Sequence, residues 1–247
     1  FGSPEFAKIV LEKLINAGFA PAAVVCNPDK PVGRKQIITP PPTKSLIMKH
    51  ETWNAGKKIE ILQPENLDSR FTLHVSRFMP DFAVVAAYSK IIPKEIIDIP
   101  KLGVIGVHPS LLPKYRGATP IQSSILNGEK TTGTTLFLID EKVDHGPVLA
   151  TRELEILNSN LEILNKRLAE LSGDLLVETL PKFLKGEIKP QEQNHNEATF
   201  TKKFTTEDGF VKPGDLEEAQ ALLRAQYGAK GGQKAIEIER KIRALNP

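Results

Sequence analysis

A single cysteine, Cys26, among 247 residues excludes an internal disulfide. Its place at the end of the apolar run Ala22-Ala23-Val24-Val25-Cys26 reads as a buried strand position in a protein of a reducing, cytoplasmic compartment. No apolar stretch approaches the ~20 residues that a bilayer-spanning helix needs, and no charged-then-apolar leader opens the chain. The opening Phe1-Gly2-Ser3-Pro4-Glu5 has no initiator methionine and reads as a cut front end. Internal repeats and low-complexity tracts are lacking, and Gly231-Gly232 is a turn signal only. Neither charge sign dominates: 33 Lys and Arg against 30 Asp and Glu leave a net charge of +3. That balance suits a polyanionic partner and an ordinary solvated surface equally well. What the chain does have is a 40% apolar fraction, enough to bury the core of one large domain with an appendage.

Strand-like runs at 22–26, 59–62, 82–87, 103–107, 134–139 and 148–156 alternate with helix-like segments at 5–16, 43–49 and 120–127. The alternation predicts an α/β, Rossmann-like, doubly wound fold with a largely parallel sheet. Uninterrupted apolar character in Phe82-Ala83-Val84-Val85-Ala86-Ala87 and Val104-Ile105 predicts strands covered on both faces. A ligand crevice then opens beyond their carboxyl ends, just after Ala87 and Val107. Between 160 and 183, Leu161, Leu164, Leu168, Leu171, Leu175 and Leu180 mark one face of a helix that packs on the sheet. Past Gly186 the chain turns polar and then amphipathic from Leu216 to Leu245, more a partly helical linker than a core. The expected boundaries are a catalytic domain over 1–205 and a linker over 206–247.

Two short segments carry chemistry. Val107-His108-Pro109-Ser110-Leu111-Leu112-Pro113-Lys114-Tyr115-Arg116-Gly117 places an imidazole directly after a buried strand and before a proline-punctuated loop. A histidine in that position can exchange protons near neutral pH. Ile139-Asp140-Glu141-Lys142-Val143-Asp144-His145-Gly146-Pro147 puts a carboxylate after another strand, with a glycine for a tight turn. Alone, the first could be structural and the second is weak.

Together they resemble the folate-dependent formyltransferases, whose pattern is Asn-x-His-x-Ser-Leu-Leu-Pro-x-x-Arg-Gly followed by Asp-x-Gly. Within that superfamily the similarity is to the methionyl-tRNA formyltransferases. It runs through Gly2-Ser3-Pro4-Glu5-Phe6-Ala7, the loop Asp29-Lys30-Pro31-Val32-Gly33-Arg34-Lys35, Gln63-Pro64-Glu65-Asn66-Leu67, Gly117-Ala118-Thr119-Pro120-Ile121-Gln122 and Ala198-Thr199-Phe200-Thr201-Lys202-Lys203. It resumes at Ile242-Arg243-Ala244-Leu245-Asn246-Pro247, where the family continues into a small carboxyl-terminal domain that helps hold tRNA. Here that domain is absent, and truncation accounts for it better than loss in a lineage.

The resemblance implies formyl transfer from 10-formyltetrahydrofolate to the amino group of initiator methionyl-tRNA, in a cytoplasmic protein expected to be monomeric, with no metal and no membrane. His108 and Asp144 are two of the family's three catalytic residues. The imidazole would stabilise the tetrahedral intermediate and help move a proton, and the carboxylate would orient it. Folate contacts are implied at Ala86, Ala87, Tyr88, Ser89, Ile91, Ser110, Leu111, Leu112, Pro113, Val143 and His145. His145 reads as a solvent-facing turn residue, or as a group that tunes Asp144. Arg34 and Lys35 match the family's tRNA-binding loop. Lys202 and Lys203 could touch tRNA or be a solvated pair, and Arg116 could bind an anion or close its loop as an ion pair. His50, His74, His108, His145 and His195 show no metal-ligand spacing.

One departure stands out: the family's catalytic Asn is replaced by Gly106. That amide would donate a hydrogen bond to the developing oxyanion, and glycine offers no side chain for it. Three accounts follow: a slower enzyme with a water or backbone amide in the vacant place, a formyl-folate-binding or tRNA-binding relative without turnover, or an engineered change. Ser89, where the family often has glycine, could narrow the folate pocket. The rival enzymes are a sugar-nucleotide N-formyltransferase and, less well matched, a glycinamide ribonucleotide transformylase. The Arg34 loop and the tail argue against both.

Overall fold

A computed structural model describes residues 1–49, 58–217 and 228–245; His50 lies outside them. The strands are β1 (Ala23–Val25), β2 (Lys30–Val32), β3 (Ile37–Thr39), β4 (Glu60–Leu62), β5 (Ala83–Ala86), β6 (Val104–His108), β7 (Arg116–Gly117), β8 (Thr131–Leu138), β9 (Val148–Glu155) and β10 (Phe200–Thr201). The helices are α1 (Glu5–Asn16), α2 (Pro42–Lys49), α3 (Ser69–Ser76), α4 (Lys94–Ile97), α5 (Pro120–Leu126), α6 (Leu161–Leu184) and α7 (Gly228–Leu245). Every predicted strand and helix among these falls within a few residues of its expected place. Helix α3 went unpredicted, although Asp68 caps it by accepting from the Arg70 and Phe71 amides.

The expected α/β architecture is present, but its sheet is less parallel than predicted. β1 and β4 are parallel, as are β5 and β6, whereas β6, β8 and β9 are successively antiparallel. The short connection 139–147 explains the last pair, since a parallel return needs a dozen or more residues. Phe1 and Gly2 join the two parallel pairs: the Gly2 amide donates to the Val25 carbonyl, the Ala86 amide to the Phe1 carbonyl, and the Phe1 amine to the Val84 carbonyl. A cavity of about 510 Å³ beside this seam is lined by apolar residues such as Val10, Leu14, Phe19, Val24 and Phe82. Neither His108 nor Asp144 lines it, so it is a packing gap apart from the chemistry.

Strand periodicity divides the β6–β8 ladder into two faces. Ile105, Val107 and Leu136 join the main core with Phe6, Val10 and Leu14 of α1 and with Leu164, Leu168, Leu175 and Leu180 of α6. Helix α6 is capped by Asn160, which accepts from the Ile163 amide. Leu168 is fully buried, so Leu168→Ala is expected to cost about 2–5 kcal/mol, measured by denaturant titration. Gly106, His108, Thr135 and Phe137 lie on the opposite face, as the pairs Gly106–Phe137 and His108–Thr135 require. Part of the predicted linker packs on this body: α7 meets α5 and α6, Ala244 is buried in the main core, and Arg243 donates to the Ser159 carbonyl.

Among the described residues no helix is long and apolar enough to cross a membrane.

Candidate active site

His108 ends β6 and is almost fully buried. Its Nε2 lies 2.8 Å from the Tyr115 carbonyl. A carbonyl can only accept, so Nε2 carries a hydrogen and the ring is fixed with Nδ1 turned toward Asp144, 3.5 Å from Oδ2. The Asp144 Oδ2 also accepts from the Gly117 amide at 2.7 Å. Each ring nitrogen thus faces an oxygen acceptor, and a proton arriving at Nδ1 meets a carboxylate. The loop 139–147, between β8 and β9, carries Asp144 to this position.

Left-handed backbone surrounds the site. Ala87, Tyr115 and Asp144 have φ of 47°, 61° and 47°, conformations that cost a non-glycine residue about 1–2 kcal/mol. At Tyr115 this turn aims the carbonyl at His108, while the phenol donates to Glu129 at 2.6 Å and accepts from Asn127. Burial, with the Glu129 hydrogen bond second, pushes the Tyr115 phenol up from its ordinary range. Strained residues of this kind concentrate at functional sites.

Gly106 is not empty space. A Cβ built there would stand within 3.0 Å of Cε1, Cζ and Cδ1 of the Phe137 ring, and Phe137 is 3% exposed. The space beside Gly106 that a side chain would enter is filled by a phenyl ring. Gly106 also has no left-handed φ, so the ring, not the backbone, is what its lack of a side chain serves.

The expected folate residues divide into two groups. Ala87 and Ser89 are exposed at the end of β5, with Ile91 91% and Val143 59% exposed. Lys94 and Glu141, 3.8 Å apart, tie the segment after Ile91 to the Asp144 loop. These residues form an open, largely apolar border beside His108 and Asp144, and their exposed apolar side chains suit the flat rings of a folate. Tyr88 turns inward, against Phe1 and with its hydroxyl unpartnered among the described residues; burial, with Cys26 second, pushes its pKa up to about 12. Ala86 is buried in the core. Ser110 and Leu112 have buried side chains: the Ser110 hydroxyl donates to the Lys114 carbonyl, and Thr135 holds the Leu112 amide and the Ser110 carbonyl. They anchor the loop. Leu111 lies over Gly133, and Pro113 is half-buried with its carbonyl accepting from the Thr199 amide.

Three other expectations change. His145 is not a solvent-facing turn residue: it lies 2.6 Å from Asp140 and stacks on His195 with centroids 4.0 Å apart. Arg116 is 3% exposed and, among the described residues, forms no ion pair; it donates to Gln193 and to His195 Nδ1. Lys202 is committed to Asp208 at 2.5 Å, and that hydrogen bond first, with the Thr205 amide and hydroxyl, holds the Asp208 carboxyl at about 2. Lys203 is exposed. Arg34 and Lys35, predicted on a loop, occupy the turn of an antiparallel hairpin between β2 and β3, exposed and without a side-chain partner among the described residues. No three His, Cys, Asp or Glu among the described residues could share a metal ion. Sequence reasoning missed Phe137, which read as a core strand residue, and Gln193, which nothing distinguished within a polar run.

The sequence profile of the formyl transferase family matches residues 1–180. A methionyl-tRNA formyltransferase of Chloroflexus aurantiacus is 42% identical over 212 residues, covering 85% of this chain and 66% of the relative. One of Thermotoga maritima is 39% identical over 238 residues, covering 95% and 74%. The chain therefore spans about two thirds to three quarters of the length of these relatives. Among solved structures, an N-formyltransferase from Helicobacter canadensis in complex with folinic acid and dTDP-3-aminofucose superposes with a TM-score of 0.64 at 17% identity, covering 99% of this chain and 78% of that one. HypX from Aquifex aeolicus in complex with tetrahydrofolic acid gives 0.59 at 20%, covering 78% and 31%. At those identities the structural likeness establishes the fold alone. By its sequence relatives and its family profile, the chain belongs to the methionyl-tRNA formyltransferase family of formyl transferases.

Proposed function

We propose that this chain transfers the formyl group of 10-formyltetrahydrofolate to the amino group of methionyl-tRNA. The observation that carries the reading is the juxtaposition of His108 and Asp144, distant in sequence, beside an open apolar border in a chain of this family. The folate would rest along Ala87, Ser89, Ile91 and Val143 and supply the formyl carbon. The neutral amine attacks that carbon, the carbon–N10 bond breaks, and the proton lost by the amine must reach N10. His108 is the group placed to relay it, and Asp144 holds the imidazole and stabilises the protonated ring. Placed donors must also meet the charge developing on the formyl oxygen. With the Phe137 ring over Gly106, that donor cannot come from a side chain at position 106.

The test supplies 10-formyltetrahydrofolate with either methionyl initiator tRNA or an amino-sugar nucleotide and follows formylated product. Product on tRNA alone is expected; product on the sugar alone would transfer the reading to that rival. The Phe137 ring favours a second reading, a relative that binds its ligands without turnover. Binding of both ligands with no product would establish it.

The β2–β3 hairpin is the proposed tRNA contact, because its turn presents Arg34 and Lys35 without side-chain partners among the described residues. Arg34→Ala is expected to weaken tRNA binding and lower the salt slope by about 0.7–0.9, the loss of one phosphate contact, with folate affinity unchanged. Fluorescence anisotropy across a salt series measures this; an unchanged slope rejects the contact. Lys202, paired with Asp208, is a weaker candidate than Lys203. The proposed domain division keeps 1–205 as the catalytic unit, with the following segment leading toward a further tRNA-binding domain in the family.

A further inference from the structure

Arg116 poses an energetic problem. A buried guanidinium is costly unless paired, yet among the described residues its hydrogen bonds go to neutral groups. Nε and one terminal nitrogen donate to Gln193 Oε1 at 3.2 and 2.6 Å, and that terminal nitrogen also donates to His195 Nδ1 at 2.9 Å. Gln193 is itself 7% exposed. Its amide nitrogen donates to the Asp144 carbonyl at 3.0 Å and to the Gly146 carbonyl at 2.7 Å. All four hydrogen-bonding positions of this amide are therefore used. A cation on the oxygen side polarises the amide and strengthens its two N–H donors.

The two carbonyls so held bracket the turn in which Asp144 adopts its left-handed conformation. The same Asp144 is held through its carboxylate by the amide of Gly117, the neighbour of Arg116. Gly117 permits this grip: its φ of 105° is open to glycine, and a Cβ there would press on Thr201 at 3.0 Å. Main chain and side chain of Asp144 are thus fixed from two directions, with Oδ2 facing the His108 ring.

We propose that Gln193, polarised by Arg116, is a positioning residue for Asp144. The proposal rests on the assignment of Asp144 to the formyl-transfer centre. It brings into the site a segment downstream of residues 1–180, the part matched by the family profile. Gln193 touches no reacting atom; it acts by holding the turn.

A purely structural role, stapling 191–201 to the body, is separated by Gln193→Glu. The carboxylate still accepts from Arg116 and keeps the staple, but it cannot donate to the two carbonyls. The expected result is a folded protein whose kcat falls about 10- to 100-fold, as for loss of an outer partner of a catalytic group, with KM for 10-formyltetrahydrofolate within about twofold. The ¹⁵N resonance of His108 Nδ1 should move in the same sense as in Asp144→Asn. Unchanged kcat and unchanged His108 resonances in folded Gln193→Glu would overturn the proposal. If the parent shows no formyl transfer, the functional reading fails on its own, and the His108 resonances still decide the positioning. If Gln193→Glu does not fold, hydrogen-bond couplings from the Gln193 side-chain amide to the carbonyl carbons of Asp144 and Gly146 decide it in the parent: their presence supports the clamp and their absence rejects it.

Discussion

Asp144→Asn is expected to lower the single-turnover rate of formyl transfer by about 10³- to 10⁴-fold while leaving a folded protein, the scale seen when a carboxylate that holds a catalytic imidazole is neutralised. The choice of asparagine follows from the geometry. Asp144 sits at φ 47° and accepts from the Gly117 amide, so alanine would add a left-handed penalty of about 1–2 kcal/mol and strand that amide. Asparagine tolerates the left-handed region and keeps an acceptor oxygen. Asp144 therefore carries structural load as well as chemistry. His108→Ala should produce a loss of similar size, and the double variant should be scarcely worse than either single one, because members of one constellation are not additive. A folded Asp144→Asn protein that retained a tenth of the parental rate would remove Asp144 from the mechanism.

The sequence discloses these elements unevenly. Strands β5, β6 and β8 are visible because their apolar runs are contiguous, and α6 because its leucines recur on one face. The meeting of His108 with Asp144 is visible only through family resemblance, since no spacing rule joins a strand-end residue to one in a distant loop. The β2–β3 hairpin is hidden because both its faces are exposed and no apolar alternation marks it. Gln193 is hidden for another reason: its importance comes from the pairing of β10 with β7, a long-range contact of two residues that brings the polar tail beside Arg116. The antiparallel return from β8 to β9 was legible in the shortness of 139–147. Phe137 is the intermediate case. Its burial was readable from the run Leu136-Phe137-Leu138, but that its ring covers Gly106 depends on a register that only the folded sheet supplies.

That register sets the outcome of restoring the family's asparagine. Gly106→Asn alone is expected to lower stability by about 1–3 kcal/mol, the usual cost of overpacking, and to bring no gain in rate, because its side chain must displace the buried Phe137 ring. Combining it with Phe137→Val changes the balance. Valine suits a strand, and the pair Asn plus Val has the same number of side-chain heavy atoms as Gly plus Phe, so total volume is nearly kept. The backbone raises no objection, since Gly106 is not left-handed. The new amide would stand two residues before His108 on the same face of β6, where it can donate to the formyl oxygen. One such donor is worth about a hundred- to a thousandfold in rate, and that acceleration is expected in single-turnover formylation by the double variant at saturating folate and tRNA. Phe137→Val alone, which opens space without adding a donor, should not reproduce it. If Gly106→Asn by itself were faster and fully stable, the ring would not be the obstacle. A folded double variant no faster than the parent would mean that another group already donates to the formyl oxygen.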